Sequence, residues 1–301
     1  MRATAGLVLG AGCSLLVLLY GVDLAARGTG ELRIPAAGIT SFLRAAVFTA
    51  LALHLGELAG AALARPAPAG TLPRSLALPA ALAGAAASAG QIVVLAAVSD
   101  LDLAAAYGTR DGVPLLVMAN GFLLAAWCAA ARRPRPALLA LAAVIVAEAV
   151  RAHPEPYSPE LGTALTVVHL TAASLWAGGL CHALRTVWLR RATPADARAV
   201  LTRYARGAVW TLAVLAATGA VSTLRRLPAD VVLTSAYGRV LIAKLALVAV
   251  ASLLALAARR RLLGGGDTHG AARAELAVLA AVLLLSAVLT VVPDPHWIST
   301  R

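Results

Sequence analysis

The sequence predicts an all-α, polytopic integral membrane bundle of about nine transmembrane helices, and three observations carry that prediction. Hydrophobic residues make up 60% of the 301 residues and charged residues only 13%, against about 25% charged in an ordinary soluble domain. Mean hydropathy is +0.83. Apolar runs recur between short arginine-bearing breaks, and each approaches the roughly 20 residues that a helix needs to cross a bilayer.

The runs place helices near 4–26, 37–63, 75–98, 113–131, 136–152, 162–189, 205–225, 236–258 and 273–292. No A-x-A cleavage site follows the first run, so it reads as a retained helix rather than a signal peptide. Pro35, Pro73, Pro114 and Pro136 lie at or near the starts of the next four, and Pro293 follows the last. Proline is tolerated at such ends and breaks a helix interior. Residues 190–204 form the longest break and read as a cytoplasmic connector that opens with a Thr193-Pro-Ala-Asp196 turn. Gly264, Gly265 and Gly266 make the following connector flexible. Gly6 and Gly10 have the GxxxG spacing that lets membrane helices pack closely.

The net charge of +12 comes almost wholly from arginine, because Lys244 is the only lysine. No compact basic domain exists to bind nucleic acid. The arginines instead sort by side. Arg65, Arg132, Arg190, Arg203 and Arg259 fall on one face, whereas Arg27, Arg110 and Arg226 share the other with most of the acids. Positive residues stay inside, so the N-terminus is expected in the cytoplasm and the C-terminus outside. Three cysteines within apolar segments argue against a disulfide framework.

Ionisable groups inside membrane helices are costly and therefore functional candidates. They fall in two layers. Glu148, His153 and His169 lie toward the outside, and His54, Glu57, Cys181 and His182 toward the inside. Imidazole, thiolate and carboxylate are the donors of copper, zinc and iron sites, and two layers of them suit the passage of a metal ion. Plainer roles stand beside each. A helix histidine also serves as a hydrogen-bond partner between helices, Glu148 as the ion-pair partner of Arg151, and Cys13 and Cys128 as small packing residues. Arg239 and Lys244, in the outer half of their helix, are expected to reach outward or to pair with Asp230. Ala172, Ala173 and Trp176 share a helical face with His169, and Gly178 and Gly179 admit a close neighbour.

The segment His169-Leu-Thr-Ala-Ala-Ser-Leu-Trp176-Ala-Gly178-Gly179-Leu180 resembles a helix of the copper resistance protein D (CopD) family. Arg203-Tyr204-Ala205-Arg206 with Thr218-Gly219, Tyr237-Gly238-Arg239 with Lys244, and a last helix holding Glu275 follow in that family's order. The resemblance covers about 148–293. It divides the chain into a transmembrane bundle over 1–147 and a CopD-like transmembrane domain over 148–301. It implies a multi-pass protein of the cytoplasmic membrane that moves copper ions inward, with His169 as a copper ligand and His153 in the place of a second. It also implies that a copper donor of the CopC type is a separate protein. Met118 is the only internal methionine, so the chain has no thioether ladder. No Walker-type or hydrolytic motif occurs, so neither nucleotide binding nor an enzyme is expected. Two other classes compete with copper transport. One is a membrane haem or quinone redox protein, with His54 and His169 as the haem pair, and the other is an assembly factor that transports nothing.

Overall fold

The computed structural model describes residues 2–63, 72–152, 158–264, 266 and 269–293. All regular structure among them is helical. The elements are α1 (Arg2–Ala26), α2 (Ala37–Leu63), α3 (Ala77–Val98), the short α4 (Leu103–Tyr107), α5 (Gly112–Ala130), α6 (Pro134–Ala152), α7 (Pro159–Leu189), α8 (Pro194–Arg226), α9 (Ala236–Leu263) and α10 (His269–Leu289). The nine long helices correspond one to one with the nine apolar runs. Seven of them, α2, α3, α5 and α7 to α10, are long and apolar enough to cross a membrane. The described apolar part of α1 is shorter, Gly10–Ala26, and α6 carries Arg135, Glu148 and Arg151. The protein is thus a polytopic membrane helix bundle.

The ends of the helices follow local chemistry. Pro194 and Asp196 open α8, with proline's fixed φ and an acid in the first turn both favouring a helix start. The expected connector at 190–204 is therefore mostly helix. Its polarity carries α8 beyond the apolar window, and reading only apolar runs placed the start too late. Asp102 caps α4 by accepting from the Ala105 amide at 2.7 Å, and Ser235 caps α9 through the Gly238 amide at 3.1 Å.

Polar contacts between helix ends reveal the alternation of directions. At one end of the bundle, Arg44 near the start of α2 donates to the Thr290 carbonyl beyond α10. There too Arg239, early in α9, donates to the Ala25 and Arg27 carbonyls at the end of α1. Arg239 thus reaches toward that end of the bundle, where its partners are carbonyls and not Asp230. At the opposite end, Arg185 late in α7 meets Glu57 late in α2, and Arg203 early in α8 donates to the Leu63 carbonyl. Successive long helices that reverse direction in this way suit a chain that crosses a slab repeatedly.

The closest helix contact joins α2 to α7. A Cβ on Gly178 would lie 1.7 Å from the Ala52 carbonyl oxygen, and one on Gly56 only 2.2 Å from the Gly178 backbone. Four residues on, a Cβ on Gly60 would strike the His182 ring. Numbering rises together on both helices, so α2 and α7 run parallel. Gly56 and Gly60 are thus the GxxxG pair at work. Gly10 has nothing within 4 Å, so the packing role expected at that spacing is not its own; the surroundings of Gly6 lie outside the described residues. The larger apolar core draws on α1 to α3, α5 to α7, α9 and α10, and therefore runs across the boundary near residue 147.

Candidate metal-handling cleft

The outer candidate Glu148 sits in a buried polar knot. Its carboxylate accepts from Arg151 at 3.0 and 3.3 Å and lies 3.9 Å from the Arg44 guanidinium. Arg151 also donates to Gln91 at 2.7 Å. Glu148 is only 1% exposed, and two arginines compete with any cation for it. This is the ion-pair role that the i, i+3 spacing to Arg151 offers. His153, its expected neighbour in a shared site, lies outside the described residues.

The inner candidates separate into distinct surroundings. His182 Nδ1 is 3.3 Å from the Glu57 carboxylate, which also pairs with Arg185. Arg185 in turn donates to the Arg74 carbonyl. This knot joins the end of α2, the start of α3 and the end of α7. Cys181 is a half-buried free thiol. His54 is wholly enclosed, and neither ring nitrogen has a hydrogen-bond partner among the described residues. Among the described residues, no three His, Cys, Asp or Glu side chains gather into a metal-binding group.

His169 belongs to a different place, the contact of α7 with α8, next to the seam between the α7–α8 and α9–α10 hairpins. Each hairpin is closely packed, whereas α8 and α9 touch only sparsely. The His169 Nδ1 lies 2.9 Å from the Thr218 hydroxyl. That hydroxyl has one proton, and it donates to the Val214 carbonyl at 2.7 Å. With that proton directed at Val214, Thr218 accepts from His169, the tautomer in which Nδ1 carries the proton and Nε2 a lone pair. Lys244 of α9 is the charged group whose field reaches this ring. No contact joins Lys244 to Asp230 among the described residues, so the pairing expected for it is not formed.

The same helix faces lead toward a cavity. His169, Ala173, Trp176 and Leu180 follow one another on α7 at helical spacing, as do Lys244, Ala251, Ala255, Arg259 and Leu262 on α9. That cavity, of about 70 Å³, is lined by Trp176, Leu180, Tyr204, Arg259 and Glu275 among mostly apolar side chains. The Trp176 indole donates to Glu275 at 3.0 Å, and the Tyr204 hydroxyl donates to the Trp176 carbonyl at 3.1 Å. Gly179 faces the Tyr204 ring, so the two adjacent glycines serve different neighbours.

The pairing of His54 with His169 on one haem meets a spatial obstacle. In the parallel register of α2 and α7, His54 is level with Trp176, seven positions from His169. That is an offset of about 10 Å at 1.5 Å per residue. Neither the cavity between α7 and α10 nor the groove on α5 and α6 is lined by either histidine. Sequence reasoning missed Arg44 and Gln91 as partners of Glu148, although a lone arginine in an apolar helix signals a buried acid. It noted Tyr204, Trp176 and Glu275 separately without joining them.

Neither a curated protein nor a solved structure matches this chain. A family model does match part of it, over α8, α9 and α10. These helices supply Thr218, Lys244, Tyr204 and Glu275 to the cleft, whereas His169 and Trp176 lie just before the matched segment. Residues 198–292 of this membrane protein match the family Copper resistance protein D, CopD.

Proposed function

We propose that this protein moves copper ions across the cytoplasmic membrane, inward from the external side, and is a transporter rather than an enzyme. The observation that carries the reading is the orientation of His169. Its Nδ1–H is held by Thr218, so the lone pair for a metal belongs to Nε2. A second group fixing the tautomer is the usual support of a ligating histidine. One imidazole beside a hydroxyl is a weak site, and weak binding suits an ion that must leave again. Lys244 opposes a cation there and acts as a gate. The membrane potential favours entry by about 2.3 kcal/mol per charge per 100 mV. A separate external protein of the CopC type would supply the ion.

The basic end of the bundle, with Arg74, Arg185, Arg198 and Arg203, would face the cytoplasm. A reporter fused after Arg301 is then expected to be active only outside. Activity in the cytoplasm would reverse the orientation and the direction with it.

Copper uptake into proteoliposomes holding the purified chain tests the function. His169→Ala is expected to abolish saturable uptake. Thr218→Val, which keeps the shape but releases the ring, should weaken copper binding by about 10-fold, the low end for losing a ligand's supporting group. Lys244→Met should change the uptake rate without lowering the amount of folded protein. Uptake unchanged in His169→Ala would overturn the assignment.

A further inference from the structure

Glu275 has no place in the reading so far, yet it is the one acid in the wall of the inner cavity. It is 3% exposed. Its polar partner is the neutral Trp176 indole, in contrast to Glu148 and Glu57, which arginines neutralise. The titratable or charged groups facing it from neighbouring helices are Tyr204 of α8 and Arg259 of α9. Neither forms an ion pair with it among the described residues. From α7 the indole faces it, and α2 contributes Ala52 to the same apolar cluster.

A carboxylate left charged in such surroundings, without an ion-pair partner, is strongly disfavoured. Its occupant must therefore be positive. A metal ion would need further donors, and Glu275 belongs to no group of three metal-binding side chains among the described residues. A proton needs only the one carboxyl. Along α7 the cavity begins at Trp176, seven positions from His169, or about 10 Å at 1.5 Å per residue.

We propose that Glu275 is a proton-exchange site on the α7–α10 cleft, and that the protein exchanges protons for the copper it carries. The balance is simple. The carboxylate binds one proton from the inner aqueous side while Trp176 keeps its own N–H. A copper ion held at His169 adds positive charge nearby, which favours the carboxylate form, and the proton leaves toward the outer side. No electron moves and no other bond changes. The exchange rests on the copper reading above, whereas proton binding at Glu275 does not.

The experiment therefore has two arms. Infrared difference spectra of the reconstituted protein, titrated across neutral pH without copper, should show a protonated-carboxyl band that is absent in Glu275→Gln. A spectrum unaltered by that substitution would overturn the proton site. In proteoliposomes with a trapped pH dye, copper entry should move protons the opposite way. Glu275→Gln should cut the proton flux by about 100-fold, the low end for removing a proton-transfer group, whereas Glu275→Asp should retain it. Gel filtration of each variant confirms folding, and Gln keeps an acceptor for Trp176. Coupled proton flux persisting in Glu275→Gln would overturn the exchange. Absence of copper entry in the wild type would instead overturn the copper reading and leave the infrared result to decide proton binding.

Discussion

Gly178→Ala is expected to cost the protein about 3 kcal/mol or more, the upper end of overpacking penalties, and Gly178→Leu should yield no folded protein. A single methyl at this position would stand 1.7 Å from the Ala52 carbonyl oxygen. That oxygen belongs to the α2 backbone, so the two helices must part. Parting them also pulls Gly60 from His182 and Glu57 from Arg185, which depend on the same register. Thermal unfolding of the solubilised protein, followed by gel filtration, measures the effect. Gly10→Ala is the internal control, since nothing lies within 4 Å of its added methyl. Equal melting of the two variants would show that the α2–α7 contact is not what limits stability.

Glu148→Ala should destabilise by about 3–5 kcal/mol, the cost of removing one member of a buried charge group. The loss leaves Arg44 and Arg151 facing each other with Gln91, a carbonyl and the charge of Asp111 for company. Replacing all three charges with Arg44→Met, Glu148→Leu and Arg151→Met should restore much of the stability, because apolar substitution of a whole buried charge group is often tolerated. Copper uptake per folded molecule should be unchanged in the triple variant. Loss of uptake with folding intact would instead return Glu148 to the transport path.

The nine long helices were legible because a lipid-facing helix must be apolar along its length, and that property is visible in a single strand of sequence. The start of α8 was not, since residues 194–204 form a polar extension that no apolar window detects. Within the cleft, the partners Thr218 and Lys244 were visible as motif members, but only geometry assigns Thr218 to the His169 ring. Glu57 and His182 lie 125 positions apart and meet only because glycines bring two parallel helices together. No local pattern reports such a meeting. Glu148 was legible in its plainer role, because Arg151 follows one helical turn later.

The sparse seam between α8 and α9 makes acyl chains part of the fold. These two helices are the least covered of the seven apolar spans, so in a bilayer lipid tails would fill what side chains leave open. Lateral pressure from those tails, and not protein packing alone, would then set the width of the cleft beside His169 and Glu275. Short-tailed detergents should widen it, and thicker, more saturated bilayers should narrow it, so the same polypeptide would work at different speeds in different lipids.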